Sequence, residues 1–244
     1  MLKQLFFSAA LAVALGSQSA MAQAPRWQDP QVNRVNTEKA RSSFFAYESQ
    51  ALAQKGLKEG SERFLSMEGM WKFQFVKDHN LAPKNFFMPG YDDSRWEDFP
   101  VPGLFEMNGH GDKTYKNVGY AWATQFANNP PMVEEKNNYT GSYRRTFTIP
   151  ASWKGERIYV HVGSATSNLA LWVNGKEVGY SEDSKLEAEF DITKYVVPGQ
   201  KALIAMQVMR WCDGSYGEDQ DFWRFTGIAR EVYMYARPAA HVQD

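Results

Sequence analysis

From Gly69 onward the chain is written in short apolar runs of period two, separated by Gly, Pro and Asn. That spacing constrains the fold more than any other feature. Alternation buries one face of an extended strand and leaves the other for solvent or a second layer. Trp71–Phe75, Tyr143–Ile149 and Arg157–Val162 follow it, the last with Ile158, Val160 and Val162 on one side. Leu169–Val173 and Glu177–Tyr180 flank Asn174-Gly175, a pair that tolerates the positive φ a two-residue hairpin turn requires. Ala202–Met209 and Glu231–Tyr235 add further strands. Many short strands with turn chemistry between them predict an antiparallel sandwich or barrel over residues 61–237.

The flanks read differently. Residues 1–22 carry an early Lys3, an apolar run from Leu5 to Leu15, and Ala20-Met21-Ala22 at the end. This layout favours a secretory signal cleaved after Ala22 over a buried N-terminal helix, and predicts a periplasmic or secreted protein. Removing it leaves about 220 residues, enough for one large all-β domain. Residues 23–60 form an extended arm in which Glu48–Lys58 is expected to be a short helix closed by Gly60. Ala236-Arg237-Pro238 reads as the start of a linker that continues through residues 238–244. A net charge of −1 offers no electrostatic footprint for nucleic acid or an anionic membrane. Cys212 is the single cysteine, so an internal disulfide cannot form, and four scattered His give no zinc-ligand spacing.

Two segments break the strand pattern. Gly103–Asn138 is long and rich in Asn, Pro and Gly, yet carries Tyr115, Tyr120, Trp122 and Phe126. A long loop with that many aromatics is expected to be ordered and functional. Trp211–Arg224 packs Asp213, Glu218, Asp219 and Asp221 between two Trp, directly after an apolar strand. Such carboxylates repel unless a cation, an Arg or hydroxyl donors share their charge. Acidic oxygens beside aromatic faces suit a sugar, and a solvated acidic turn is the plainer alternative. Asp92-Asp93 and Glu134-Glu135 are read as solvated turn pairs, and Gly109-His110-Gly111 as a loop tip. Neither a Ser/His/Asp context nor a phosphate-cradling glycine loop is present.

The run Asp213-Gly214-Ser215-Tyr216, then Glu218-Asp219-Gln220-Asp221, Trp223-Arg224, Gly227-Ile228 and Arg230, resembles a signature of family 2 glycoside hydrolases of the β-galactosidase type. Gly141-Ser142-Tyr143, Leu171–Gly175, Val178–Tyr180, Glu189-Phe190-Asp191 and Tyr115-Lys116-Asn117-Val118 agree with it, so the resemblance covers most of residues 27–237. It implies a galactose-binding-like jelly-roll β-sandwich, followed in the whole enzyme by an immunoglobulin-like domain and a (β/α)8 barrel that carries both catalytic glutamates. The chain is then expected to be inert alone, since retaining glycosidases need two carboxyls about 5 Å apart.

By the same resemblance, Asn117 and Asp221 contact the β-galactoside, and Asp221 also helps to hold sodium. For Asp221 the competing reading is a salt bridge to Arg224 three positions on. A magnesium site is implied at Asp29, the Val32 carbonyl, Glu182 and Asp213, all of them hard oxygen donors. Arg26 stands where the family has an acid, and Val101–Phe105 and Tyr120-Ala121-Trp122 depart from the family pattern. The resemblance allows a homo-oligomer for the full-length enzyme. A free-standing, lectin-like carbohydrate module is the alternative of another class, and an enzyme for glucuronides or mannosides is a third reading.

Overall fold

The computed structural model describes residues 24–244. The secretory signal expected at residues 1–22 lies outside them. The chain is almost entirely β, built as two antiparallel sheets face to face. The larger sheet has seven strands in the spatial order Arg34–Val35, Lys176–Ser181, Leu169–Val173, Lys201–Met209, Thr140–Thr148, Gly69–Val76, Glu97–Val101. The smaller has four, in the order Ala188–Asp191, Arg157–Val162, Val232–Arg237, Phe64–Ser66. The sandwich predicted from alternation is therefore what forms.

The core lies between the sheets. Trp71 and Phe73 are buried while the alternating Lys72 and Gln74 are partly exposed, as period two demands. They meet Tyr143 and Phe99 from the larger sheet and Phe105 from the 3-10 turn Phe105–Asn108, with Val160, Val162, Val232 and Met234 from the smaller sheet in the same cluster. Each such side chain contributes about 1.5–3 kcal/mol by leaving water. Gly141 lets this happen: a Cβ there would come within 2.4 Å of Phe105 and 2.5 Å of Phe73.

The outer face of the smaller sheet is also covered, which alternation alone does not predict. Tyr159, His161, Tyr233 and Tyr235 point away from the core yet are buried. The N-terminal arm lies across them. Arg41 donates to Glu189 at 2.8 Å, His161 Nδ1 lies 3.1 Å from the same carboxylate, and Phe45 packs on Phe64 and Tyr233. This explains why Arg157–Val162 is buried on both sides after its first residue.

The predicted hairpin forms, with Asn174 at φ 51° and Gly175 at φ 82°. Three expectations need correction. The arm helix is Gln50–Lys55, capped by the Ser49 hydroxyl and ended by Gly56 at φ 67°, so Gly56 and not Gly60 closes it. A separate 3-10 turn spans Lys58–Gly60. Ala236 and Arg237 pair with Ile158 and Arg157 as the end of a strand, so a linker can begin only at Pro238. Asp93 is no free turn residue: it accepts from the Arg144 guanidinium at 2.6 Å. Glu97–Val101, unmarked in the sequence reading, is an edge strand, where Pro100 removes no ladder bond from a second neighbour.

Candidate functional site

The long loop and the acidic run meet in a two-stranded ribbon, Thr114–Lys116 against Phe222–Arg224. Its register pairs Trp223 with Tyr115 and Phe222 with Lys116. One step beyond the last pair, on the two strands, come Asn117 and Asp221. The two polar residues singled out from sequence thus sit side by side at the exposed end of the ribbon.

A buried cation sets the shape of the acidic turn. Arg224 is fully buried, donates to Asp219, to the Arg210 carbonyl and to Ser215 Oγ at 3.1 Å, and lies against Trp211. Its guanidinium reaches Glu218 at 3.5 Å, and Ser184 donates to the same Glu218 oxygen at 2.7 Å. Burial raises the pKa of Glu218, against the pull of Arg224. Asp219 and Asp221 take φ of 59° and 53°, the left-handed region that short polar side chains tolerate best after glycine. The turn therefore folds Glu218 and Asp219 inward and Asp221 outward. The salt bridge weighed for Asp221 is made by Asp219 instead. Among the described residues Asp221 has no cation partner, and only the Tyr115 hydroxyl donates to it, at 3.3 Å.

The other end of the ribbon is pinned by a second buried pair. Arg210 meets Glu106 at 2.6 Å and Thr114 Oγ1 at 3.0 Å, and the second Glu106 oxygen accepts from the Thr226 amide at 2.8 Å. This anchors the long loop where it enters the ribbon.

Glu182 and Asp213 come together elsewhere, with Cys212 as an addition that sequence reasoning missed. Ligand atoms of the three lie within 4.8 Å of one another. Burial, then the adjacent Asp213 carboxyl, push Glu182 up to about 9. Tyr180 donates to Glu182 at 2.5 Å. One Asp213 oxygen, Oδ2, is buried without a hydrogen-bond partner. Two carboxyls held together this way, one with an orphaned oxygen, fit a hard divalent cation. Burial, then the charge of Glu182, push the Cys212 thiol up to about 12, and it lies 3.0 Å from Ser167 Oγ. As a neutral thiol it is a wall of the group rather than a hard ligand. The only sequence signal for it was its place beside Asp213.

A cleft of ≈ 440 Å³ opens on this group, lined from the arm by Pro30 and Asn33. The arm is tied there by the Glu182 amide donating to the Asn33 carbonyl at 3.1 Å. Asp29 and Val32 lie on the same arm but do not line the cleft. The Asp29 carboxylate accepts from the Gln31 amide at 3.1 Å, and its carbonyl from the Val32 amide at 2.8 Å, closing a local turn. The structure brings together two of the four residues expected there, Glu182 and Asp213.

The family model for glycosyl hydrolases family 2, sugar binding domain, matches residues 64–238. The chain is 38% identical over 221 residues to a β-galactosidase of Priestia megaterium, covering 90% of this chain and 21% of that protein. It is 34% identical to the β-galactosidase large subunit of Leuconostoc lactis, covering 88% of this chain and 36% of that one. The chain thus spans a minor part of the length of these curated relatives. Among solved structures, a β-glucuronidase of Bacteroides uniformis superposes with a TM-score of 0.54 at 22% identity, over 72% of this chain and 18% of that one. A family 2 member from Bacteroides cellulosilyticus gives 0.51 at 23% identity, over 72% and 21%. At these identities the likeness is one of fold.

Proposed function

The chain belongs to glycosyl hydrolase family 2 through its sugar-binding domain, and from that premise we propose that it serves an exported β-galactosidase by presenting Asn117 and Asp221 to a terminal β-galactosyl unit. The observation that carries this reading is the free, outward Asp221 carboxylate beside Asn117, with Arg224 committed to Asp219. A carboxylate accepts from two sugar hydroxyls, and an amide both accepts and donates, so the pair can orient a ring at the ribbon tip.

Catalysis itself falls to a downstream barrel. Among the acidic residues of this chain, Glu106, Glu189 and Asp219 are engaged by buried or half-buried cations and Glu218 by Arg224 and Ser184. Under this reading the nucleophile and the acid/base on opposite sides of the glycosidic bond are supplied by that barrel.

Sodium suits Asp221, an exposed carboxylate without a cation partner. Bound there, the ion would neutralise part of the aspartate charge and help order a sugar hydroxyl. Glu182 and Asp213 would hold magnesium, which relieves their mutual repulsion and fastens the arm next to Asn33. The arm-side ligands Asp29 and Val32 would have to turn toward the cleft to join them. The leader at residues 1–22 supports delivery to the periplasm or the medium.

The direct experiment incubates the purified chain with a chromogenic β-galactoside. No turnover is expected. Turnover that persists through repeated purification, and that disappears when a carboxylate of this chain is replaced, overturns the assignment of catalysis to another domain.

A further inference from the structure

The chain holds two Asn-Gly pairs, Asn108-Gly109 and Asn174-Gly175. Such a pair carries its own reactive chemistry. Glycine has no Cβ to hinder its amide nitrogen, so that nitrogen can reach the side-chain Cγ of the asparagine before it. The fold decides whether the pair can leave its resting geometry, and the two pairs differ in this.

Asn174 is held from outside its own turn. Its Nδ2 donates to the Tyr195 carbonyl at 2.9 Å, and its Oδ1 accepts from the Leu203 amide at 2.9 Å. Its backbone amide donates to the Leu203 carbonyl as well, and Leu203 belongs to the long strand Lys201–Met209 inside the larger sheet. Gly175 is crowded: a Cβ there would stand 3.1 Å from Pro89 and 3.2 Å from Met88. Asn108 instead ends a four-residue 3-10 turn, Phe105–Asn108, and its bonds are local. Its Nδ2 donates to the Leu104 carbonyl at 2.8 Å, and the Gly109 amide donates to the Phe105 carbonyl. Beyond its chain neighbours, nothing lies within 4 Å of where a Gly109 Cβ would stand. A single 3-10 turn can open without disturbing a sheet, whereas freeing Asn174 means pulling it off a central strand.

We infer that Asn108 is a site of self-modification, converting through a cyclic imide to isoaspartate and aspartate, while the fold preserves Asn174. The Gly109 amide nitrogen loses its proton and bonds to Cγ of Asn108. The Cγ–Nδ2 bond breaks, and ammonia leaves with that proton. Water then opens the imide. Attack at the main-chain carbonyl gives isoaspartate, whose backbone runs through the former side chain, and attack at Cγ gives aspartate. Either product loses the Nδ2 bond to Leu104 and gains a carboxylate. Isoaspartate also inserts one carbon into the backbone two residues after Glu106, the buried partner of Arg210. Conversion therefore loosens the anchor at which the long loop enters the ribbon.

The test incubates the purified chain at mildly alkaline pH, folded and in urea, and follows both sites by peptide mass mapping, with isoaspartate told from aspartate by fragmentation. In urea the two sites should convert at similar rates. In the folded chain Asn108 should convert, and Asn174 should be slowed at least about tenfold against urea, because two net hydrogen bonds must break first. Asn108→Gln should remove the conversion at that position. Amide hydrogen exchange over Thr114–Lys116 should quicken as Asn108 converts and stay slow in Asn108→Gln. Equal conversion of the two sites in the folded chain, or an Asn108 as protected as Asn174, would overturn the assignment. Unchanged exchange at full conversion would overturn its link to the ribbon.

Discussion

Arg224 is paired with Asp219, and this pairing is what sets Asp221 free. Both members are almost completely withdrawn from solvent, and the residue two places on is left facing water with a single tyrosine hydroxyl on it. The geometry converts a run of like charges into two inward carboxylates that hold the turn and one outward carboxylate that can act.

Removing that anchor should be costly. Arg224→Ala leaves the buried Asp219 with only the half-exposed Lys185 ammonium at 3.2 Å, and breaking a buried pair from one side costs about 3–5 kcal/mol. Urea unfolding measures it. A loss below about 1 kcal/mol would mean that water takes over the role of the guanidinium.

Magnesium should stabilise the chain through Glu182 and Asp213. At about 100 times its Kd, a cation bound only to the folded state adds about 2.7 kcal/mol. The melting temperature should rise with magnesium, fall back with a chelator, and stop responding in the double variant Glu182→Gln, Asp213→Asn. An unchanged response in that variant would place the ion elsewhere.

The arm should loosen in acid. Burial alone would raise the pKa of Glu189, but the His161 hydrogen bond and the Arg41 charge bring it below the ordinary carboxylate value. A carboxyl with a depressed folded pKa contributes stability that is present above its unfolded pKa, near 4.5, and is lost as pH falls through the folded one. Protease cleavage within residues 38–47 should therefore accelerate as pH falls below 4.5 and through the depressed folded pKa of Glu189. In Glu189→Gln the cleavage rate at neutral pH should already be high and change little with acid. A rate independent of pH in the parent chain would separate arm docking from Glu189.

Gly141 marks how tightly the two sheets close. Its replacement by Ala drives a methyl into the Phe105 and Phe73 rings, and overpacking of this kind costs about 1–3 kcal/mol. Thermal melting should show a clear drop, and an unchanged melting temperature would mean that the rings repack freely.

Alternating strands were legible because alternation reports burial directly: Trp71–Phe75 lies within Gly69–Val76, and Arg157–Val162 matches its element although its other face is buried as well. The Asn174-Gly175 turn was legible because positive φ has few residue solutions. Short strands such as Ala188–Asp191 and Thr114–Lys116 were not, since their periodicity is too brief to stand out and their pairing is set by distant partners. The same holds for the arm over Tyr159 and His161, which no local pattern encodes. At the site, resemblance selected Asn117 and Asp221, but their adjacency comes from the Phe222–Lys116 register, more than a hundred positions apart in sequence. The place of Cys212 beside Glu182 was not legible, because a lone cysteine has no spacing to read.

The central claim is that Asp221 recognises galactose and does not merely hold the turn. It is tested most directly by measuring methyl β-galactoside affinity, with sodium varied, together with the melting temperature of Asp221→Asn. The amide keeps the shape and loses the charge, and a hydrogen bond to a charged group contributes about 1.5–3 kcal/mol. The account predicts affinity lowered by about one to two powers of ten, a lost response to sodium, and an unchanged melting temperature. Full affinity and an intact sodium response, with a lowered melting temperature, would contradict it and make Asp221 a structural residue of the turn.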